Sequence, residues 1–325
     1  MRPSSSPYFC LFGLGGSVGL FSLLGLLTSL SIVFTLPSSA AASGASQSTK
    51  AKSLTIFAAG DIADCRKNPA HRSTASTTAA IIERESQKAA DWYVITLGDT
   101  TYPIGAAAEF RECYEPTWGK FKASTLPTPG NHEYGVPHAQ GYFDYFGEAA
   151  GTAQSSYYKK EIGSWLFLSL NSNLRGSEMQ TQVKWLAEAL KHHKTTCTLA
   201  FWHHPRYSSG GHGSNEFMQE IWEQLAQSKV DIALSAHDHD YERLSPMNAQ
   251  GQIDRLRGLR SFVVGTGGTS LTPMFFPKSI TEARQNDFHG ILKLRLFSAS
   301  YEWEFLPTEG SNFTDRGQAT CHSIN

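Results

Sequence analysis

From Ser53 onward, short apolar runs alternate with segments of helical periodicity, and each apolar run stops abruptly at a polar residue. Leu54-Thr55-Ile56-Phe57-Ala58-Ala59 stops at Gly60-Asp61, Trp92-Tyr93-Val94-Ile95-Thr96-Leu97 at Gly98-Asp99, and Leu126-Pro127-Thr128-Pro129 at Gly130-Asn131. Trp165-Leu166-Phe167-Leu168-Ser169-Leu170 stops at Asn171, Thr198-Leu199-Ala200-Phe201-Trp202 at His203, and the run from Val230 at His237. Runs this short and this apolar predict strands buried on both faces. Helices are predicted over about 72–90, over 178–193 with Val183, Leu186, Ala187 and Leu190 on one face, and over 216–227. Phe262-Val263-Val264 gives a further strand, and 291–305 reads as a hairpin. The alternation predicts an α/β (α+β) fold: two mixed β-sheets packed face to face and flanked by helices, in one domain over 53–325.

The first 42 residues read as a targeting segment. Arg2 is the only charge before an apolar stretch from Tyr8 to Leu36, and Pro37-Ser38-Ser39-Ala40-Ala41-Ala42 suits signal-peptidase cleavage after Ala42. The stretch is also long enough to span a bilayer, which leaves an uncleaved membrane anchor as the alternative. Its many Gly and Ser residues favour the cleaved signal. Residues 43–52 read as a flexible leader. Both readings put the remainder outside the cytoplasm, secreted or periplasmic, where disulfides form. Four cysteines follow the segment, and four allow three pairings. Cys65 and Cys113 each follow a strand end, whereas Cys197 opens a strand and so sits roughly 20 Å away at about 3.3 Å per residue. Because bridged Cα atoms lie within about 7 Å, the expected pairs are Cys65–Cys113 and Cys197–Cys321, with free buried thiols as the alternative.

Composition narrows the function little. The 325 residues are 40% hydrophobic and 18% charged, with a formal net charge of −1, so no polyanion-binding face is implied and no nucleic-acid partner is expected. Oligomeric state is not written in the sequence.

The chemistry lies where the strands stop. In α/β sheets, ligands bind beyond the carboxyl ends of the strands. Asp61, Asp99, Asn131, His203, His237 and His239 all fall there. Each alone has an ordinary explanation: an Asx turn for an Asp, tolerance of left-handed dihedrals for Asn131, a satisfied core polar group for a His. Five motifs with ligand-type side chains at one rim favour a metal centre instead.

Taken in order, Gly60-Asp61, Gly98-Asp99-Thr100-Thr101-Tyr102, Gly130-Asn131-His132-Glu133, Trp202-His203-His204-Pro205 and Ala236-His237-Asp238-His239 resemble the five blocks of the calcineurin-like metallophosphoesterases. Asp99-x-x-Tyr102 and Tyr241-Glu242-Arg243 resemble the purple acid phosphatases in particular. The resemblance spans nearly the whole chain after the targeting segment, and implies the four-layer αββα sandwich of that superfamily. Two positions depart from the pattern: Ala236 stands where Gly is usual, and Ala63 where many dinuclear phosphoesterases outside the purple branch carry a His ligand.

The resemblance implies two metal ions. Asp61, Asp99, Tyr102 and His239 would hold Fe(III); a bridging Asp99 with Asn131, His203 and His237 would hold a divalent ion, Fe, Zn or Mn. Tyr102 takes the place of the His missing at 63, and a phenol with an ordinary pKa of about 10 binds as phenolate only to a strongly polarising ion. Against this stands a plain reading of Tyr102 as a packed loop aromatic. Two such ions bind phosphoryl oxygens, lower the pKa of a water and orient it in line with the leaving group. His132, next to Asn131, would stabilise the phosphoryl group or protonate the leaving alkoxide. His212, in Ser209-Gly210-Gly211-His212-Gly213, resembles a second substrate-facing histidine, with a solvated loop residue as the alternative. His204 is expected to pack behind the ligands, and Glu133 to orient a ligand or His132. The expected activity is phosphomonoester hydrolysis of a small-molecule phosphate ester. A phosphodiesterase or nucleotidase with the same cluster is the alternative, followed by a non-catalytic metal- or phosphate-binding protein.

Overall fold

The apolar runs do become strands, and they join two sheets. The computed structural model describes residues 53–322 except 153 and 275, so the expected targeting segment 1–42, its cleavage point after Ala42 and the leader 43–52 lie outside the described residues. The first sheet contains β1 (Leu54–Ala59), β2 (Asp91–Leu97) and β3 (Thr125–Thr128), and later in the chain β11 (Gly290–Leu296), β12 (Ser300–Pro307) and β13 (Arg316–Thr320). Its order is β13-β12-β11-β1-β2-β3, with β1, β2 and β3 parallel and the hairpin strands antiparallel. The second contains β4 (Tyr158–Ile162), β5 (Trp165–Ser169), β6 (Cys197–Phe201), β7 (Ile232–Ser235), β8 (Tyr241–Leu244), β9 (Arg260–Val264) and β10 (Thr281–Gln285). Its order is β10-β8-β9-β7-β6-β5-β4, and β5, β6, β7 and β9 run parallel.

The period of two along each strand divides the core. Phe167, Leu199, Phe201, Ile232, Leu234 and Phe262 point from the second sheet toward Ile56, Leu292 and Leu294 of the first, forming the layer between the sheets. Leu166, Leu168, Ala200 and Ala233 point the other way, onto Leu186 of helix α3 (Gly176–Lys191) and onto Ile221, Trp222 and Leu225 of α4 (Gln219–Gln227). Helix α1 (Thr74–Ser86), capped by the Ser73 hydroxyl, is tied to the first sheet by Glu85 and Lys293 at 2.9 Å. A short helix α2 (Gln140–Phe146) completes the set discussed here. This is the two-sheet, helix-flanked architecture that the sequence predicts.

Four strands escape the periodicity. β4, β10 and β13 are edge strands with largely solvent-facing residues, so they carry no apolar run, and β8 is only four residues long. Both expected disulfides form, Cys65–Cys113 and Cys197–Cys321, with Cα atoms 5.8 Å and 5.6 Å apart. The first fastens the loop after β1. The second ties the C-terminal segment to the amino end of β6, the pole opposite the strand ends that matter next.

Candidate metal centre

The carboxyl edges of the two sheets are bonded to each other, and this brings the polar strand ends together. The Gly60 N–H donates to the Val264 carbonyl at 2.9 Å, and the Asp61 N–H to the Gly98 carbonyl at 3.1 Å. The His237 N–H donates to Asp61 Oδ2 at 2.9 Å. Three ligand-type residues sit at positive φ: Asp61 at 58°, Asp99 at 48° and His237 at 70°. Left-handed dihedrals are costly for such residues and turn each chain sharply at the end of its strand. Gly130 is required here, because a Cβ on it would stand 2.1 Å from Asp99 Oδ1. Ala236, where the family pattern has Gly, is accommodated by Gly60: a Cβ on Gly60 would meet the Ala236 methyl at 2.5 Å.

The side chains fall into two touching groups. In the first, the Tyr102 hydroxyl donates to Asp61 Oδ1 at 2.9 Å and lies 3.3 Å from Asp99 Oδ2 and 3.5 Å from His239 Nε2. His239 Nε2 lies 3.3 Å from Asp61 Oδ1. In the second, His203 Nε2 lies 3.2 Å from Asp99 Oδ2, 3.1 Å from Asn131 Oδ1 and 3.2 Å from His237 Nδ1. Asp99 belongs to both groups. The pair His237 and His239 spans a tight turn, in which the Asp238 N–H donates to the Ala236 carbonyl, so the two rings serve different groups rather than one side of a strand.

Neighbouring carbonyls set the tautomers. His203 Nδ1 donates to the Leu97 carbonyl at 2.8 Å and His239 Nδ1 to the Ser270 carbonyl at 2.8 Å, which turns each Nε2 toward the carboxylates. Asp61 and Asp99 are fully buried, and among the described residues no Arg or Lys bonds to either. Burial alone would raise the Asp61 carboxyl, but His239 and His203 outweigh it and hold it low. Asp99 is held low in the same way, against burial, by His203. The same carboxylates lift His203 and His239, against burial, to about 9. Burial and His203 push His237 down to about 3. The Tyr102 phenol is raised well above its ordinary value by burial, Asp61 and Asp99. Converging carboxylates, an amide oxygen and imidazole lone pairs with no permanent cation are a donor set suited to multivalent metal ions.

The remaining residues hold this set in place. Glu133, buried and with its carboxyl raised to about 7 by burial and Asp99, accepts the N–H groups of Asp99, Thr100 and Gly130 at 2.9, 2.7 and 2.6 Å. It therefore orients Asp99 through the backbone. The His132 N–H donates to Asp99 Oδ1 at 2.8 Å; its Nδ1 meets the Pro103 carbonyl at 2.5 Å, and its Nε2 lies 3.8 Å from Asp99 Oδ2. His204 packs its ring 4.3 Å from that of His237 and bonds Ser172 Oγ at 2.8 Å, behind the second group.

His212 is exposed, yet its ring lies 4.6 Å from that of His237 and 5.8 Å from that of His239. Asp238 holds it there: the carboxylate accepts the N–H groups of His212 and Gly213 and the Ser208 hydroxyl. Asp238 and Glu133 thus act on the backbone of distant segments. The Asp between the two histidines of the last motif was the available signal for the first of these contacts.

A family model for calcineurin-like phosphoesterases matches residues 54–241, more than half of the chain. The chain belongs to the calcineurin-like phosphoesterase family. Within that family it is purple acid phosphatase-like. It is 31% identical over 191 residues to purple acid phosphatase 23 of Arabidopsis thaliana, a match covering 47% of this chain and 42% of that protein. It is 24% identical over 252 residues to a nucleotide pyrophosphatase/phosphodiesterase of Hordeum vulgare, covering 64% of this chain and 66% of the relative. Among solved structures, the purple acid phosphatase of yellow lupin seeds shares the fold at a TM-score of 0.69 and 18% identity, covering 83% of this chain and 54% of that one. The chain therefore spans about half the length of these purple acid phosphatases.

Proposed function

We propose that this chain is an exported metallophosphatase that hydrolyses phosphomonoesters, with residues 53–325 as one catalytic domain. The observation that carries the reading is the pair of buried carboxylates, Asp61 and Asp99, faced by imidazole nitrogens and an amide oxygen, with no Arg or Lys bonded to either among the described residues. Asp61, Asp99, Tyr102 and His239 would hold Fe(III), and Asp99, Asn131, His203 and His237 a divalent Fe, Zn or Mn ion. The Tyr102 phenol, which burial and two carboxylates make unusually hard to ionise, gives up its proton only to a strongly polarising cation. When bound, such a pair supplies Lewis acidity toward phosphoryl oxygens and acidifies a water.

The protein's own part is positioning and proton transfer. Glu133 fixes the Asp99 turn, and the Leu97 and Ser270 carbonyls fix the imidazoles. His132, whose Nδ1–H donates to the Pro103 carbonyl, presents Nε2 toward the cluster; as the imidazolium it would pass the Nε2 proton to the departing alkoxide and be left as the neutral ring. His212, carried on a loop that Asp238 fastens, faces the same space and would bind the phosphoryl group. Export agrees with both disulfides, and among the described residues no helix is long and apolar enough to cross a membrane.

The barley relative's printed activity supports a second reading, a phosphodiesterase using the same cluster. Rates on p-nitrophenyl phosphate and bis-p-nitrophenyl phosphate separate them: the first reading expects the monoester to be faster. A faster diester would replace it with the second. Phosphate binding without turnover of either ester would show a non-catalytic member.

A further inference from the structure

Beside the Asn131–His132 turn lies a cavity of about 300 Å³, lined by Tyr134, Ser156, Tyr157, Leu174, Glu178 and Thr181 together with His138 and Gln154. We infer that this cavity receives the alcohol part of the substrate, and that the alcohol is a neutral, hydroxyl-rich group of the sugar or polyol class. The inference rests on the phosphatase reading and adds the substrate class to it.

Position comes first. The Tyr134 N–H donates to the Asn131 carbonyl at 3.1 Å, so the cavity wall is one tight turn, under about 7 Å between Cα atoms, from a proposed metal ligand. The opposite wall begins at Leu174, two residues after Ser172, whose hydroxyl bonds His204 behind the second group of ligands. The floor is preset. Asn171 Nδ2 donates to the Tyr134 hydroxyl at 2.6 Å and to Ser156 Oγ at 2.8 Å, and Tyr157 is held by Trp185, their rings 4.8 Å apart. A cavity this size is at the small end of ligand sites, enough for one ring-sized group.

The lining chooses the chemistry. It holds one carboxylate, Glu178, and neither Arg nor Lys. A second phosphate would meet that negative charge without a countercharge, which disfavours nucleoside diphosphates and other polyphosphates in this position. The hydroxyls of Tyr134, Ser156 and Tyr157 can each donate and accept, as do a sugar's own hydroxyls, while that of Thr181, which donates to the Ser177 carbonyl, can still accept. The faces of Tyr134 and Tyr157 offer apolar surface to its carbon skeleton.

The test uses the full exported protein loaded with metal, and compares glucose 6-phosphate, glycerol phosphate, ADP and p-nitrophenyl phosphate. Thr181 is exposed on α3, so Thr181→Trp fills the mouth without entering the core, and Thr181→Ser serves as the conservative control. The expected result is a sugar or polyol phosphate favoured over ADP in kcat/KM. Thr181→Trp should then raise KM at least tenfold for that ester while kcat changes less than threefold, and Thr181→Ser should keep the natural KM. An unchanged KM in Thr181→Trp, or ADP as the preferred substrate, would overturn the inference while the phosphatase reading stands. No hydrolysis of any monoester by the metal-loaded natural chain would overturn the phosphatase reading, and this inference with it.

Discussion

Glu282 and Asp315 sit among three arginines, whereas Asp61 and Asp99 sit among imidazoles, a phenol and an amide. In the first region Arg243 takes Asp315 through Nε and Nη2 at 2.8 and 2.9 Å and also bonds Glu282. Arg260 and Arg255 reach Glu282 at 2.8 and 2.9 Å, and the Tyr241 hydroxyl adds a bond to Asp315. This knot joins β8, β9 and β10 of the second sheet to the segment before β13 of the first. Its countercharges are permanent and bidentate, so it needs nothing from outside. In the second region, among the described residues, histidines rather than Arg or Lys face the carboxylates, and a metal ion can displace the protons that His203 and His239 carry. Two buried acidic clusters in one fold thus divide the work: one closed and structural, the other open to cations.

The contrast is broken most severely by Asp99→Asn. It removes the carboxylate shared by both ligand groups, and should abolish both metal retention and hydrolysis while circular dichroism still reports a folded chain. Full activity in that variant would end the assignment. Arg243→Met attacks the other region. It strands the Asp315 carboxylate, while Glu282 keeps Arg260 and Arg255; breaking such a buried pair costs about 3–5 kcal/mol, and should lower the urea midpoint accordingly, with kcat per folded molecule largely kept. A loss of kcat without a loss of stability would mean that the knot is not merely structural. His132→Ala should retain both metals and slow turnover by about 10² or more. Unchanged turnover would remove His132 from proton transfer.

The smallest expected effect is one of pH. Against burial, Arg260 and its neighbours hold the Glu282 carboxyl down to about 2, from an ordinary 4.5. A carboxyl bound more tightly as the anion stabilises the fold fully above the unfolded value. That contribution drains away as pH falls from about 4.5 toward about 2. Melting temperatures across this window should therefore fall less steeply in Glu282→Gln than in the natural chain, from a lower starting point. Parallel curves would contradict the assignment.

That polar side chains meet at one rim was legible where a mostly apolar run ends: Gly60-Asp61 follows Phe57-Ala58-Ala59, and His203 follows Phe201-Trp202. A strand buried on both faces can carry a ligand only where it leaves the core, so pattern and chemistry point to the same positions. The cysteine pairing was legible for the same reason, since strand direction assigns each Cys to a pole. Other contacts were not. Glu133 grips backbone amides at Asp99 and Thr100, Asp238 grips those of His212 and Gly213, and a backbone amide leaves no residue type to read. Arg243, Arg260 and Glu282 lie on three strands that only tertiary pairing brings together, one of them a solvent-facing edge with no apolar run. The cavity beside Tyr134 likewise needs the loop at 154–157 and helix α3 in place before it exists.

The most direct test of the open region is native mass spectrometry of the purified natural chain beside its Asp99→Asn variant. The account predicts two metal ions on the natural protein, one of them iron, and a loss of bound metal in the variant. A natural chain that hydrolyses phosphate esters at full rate while carrying no metal would contradict it.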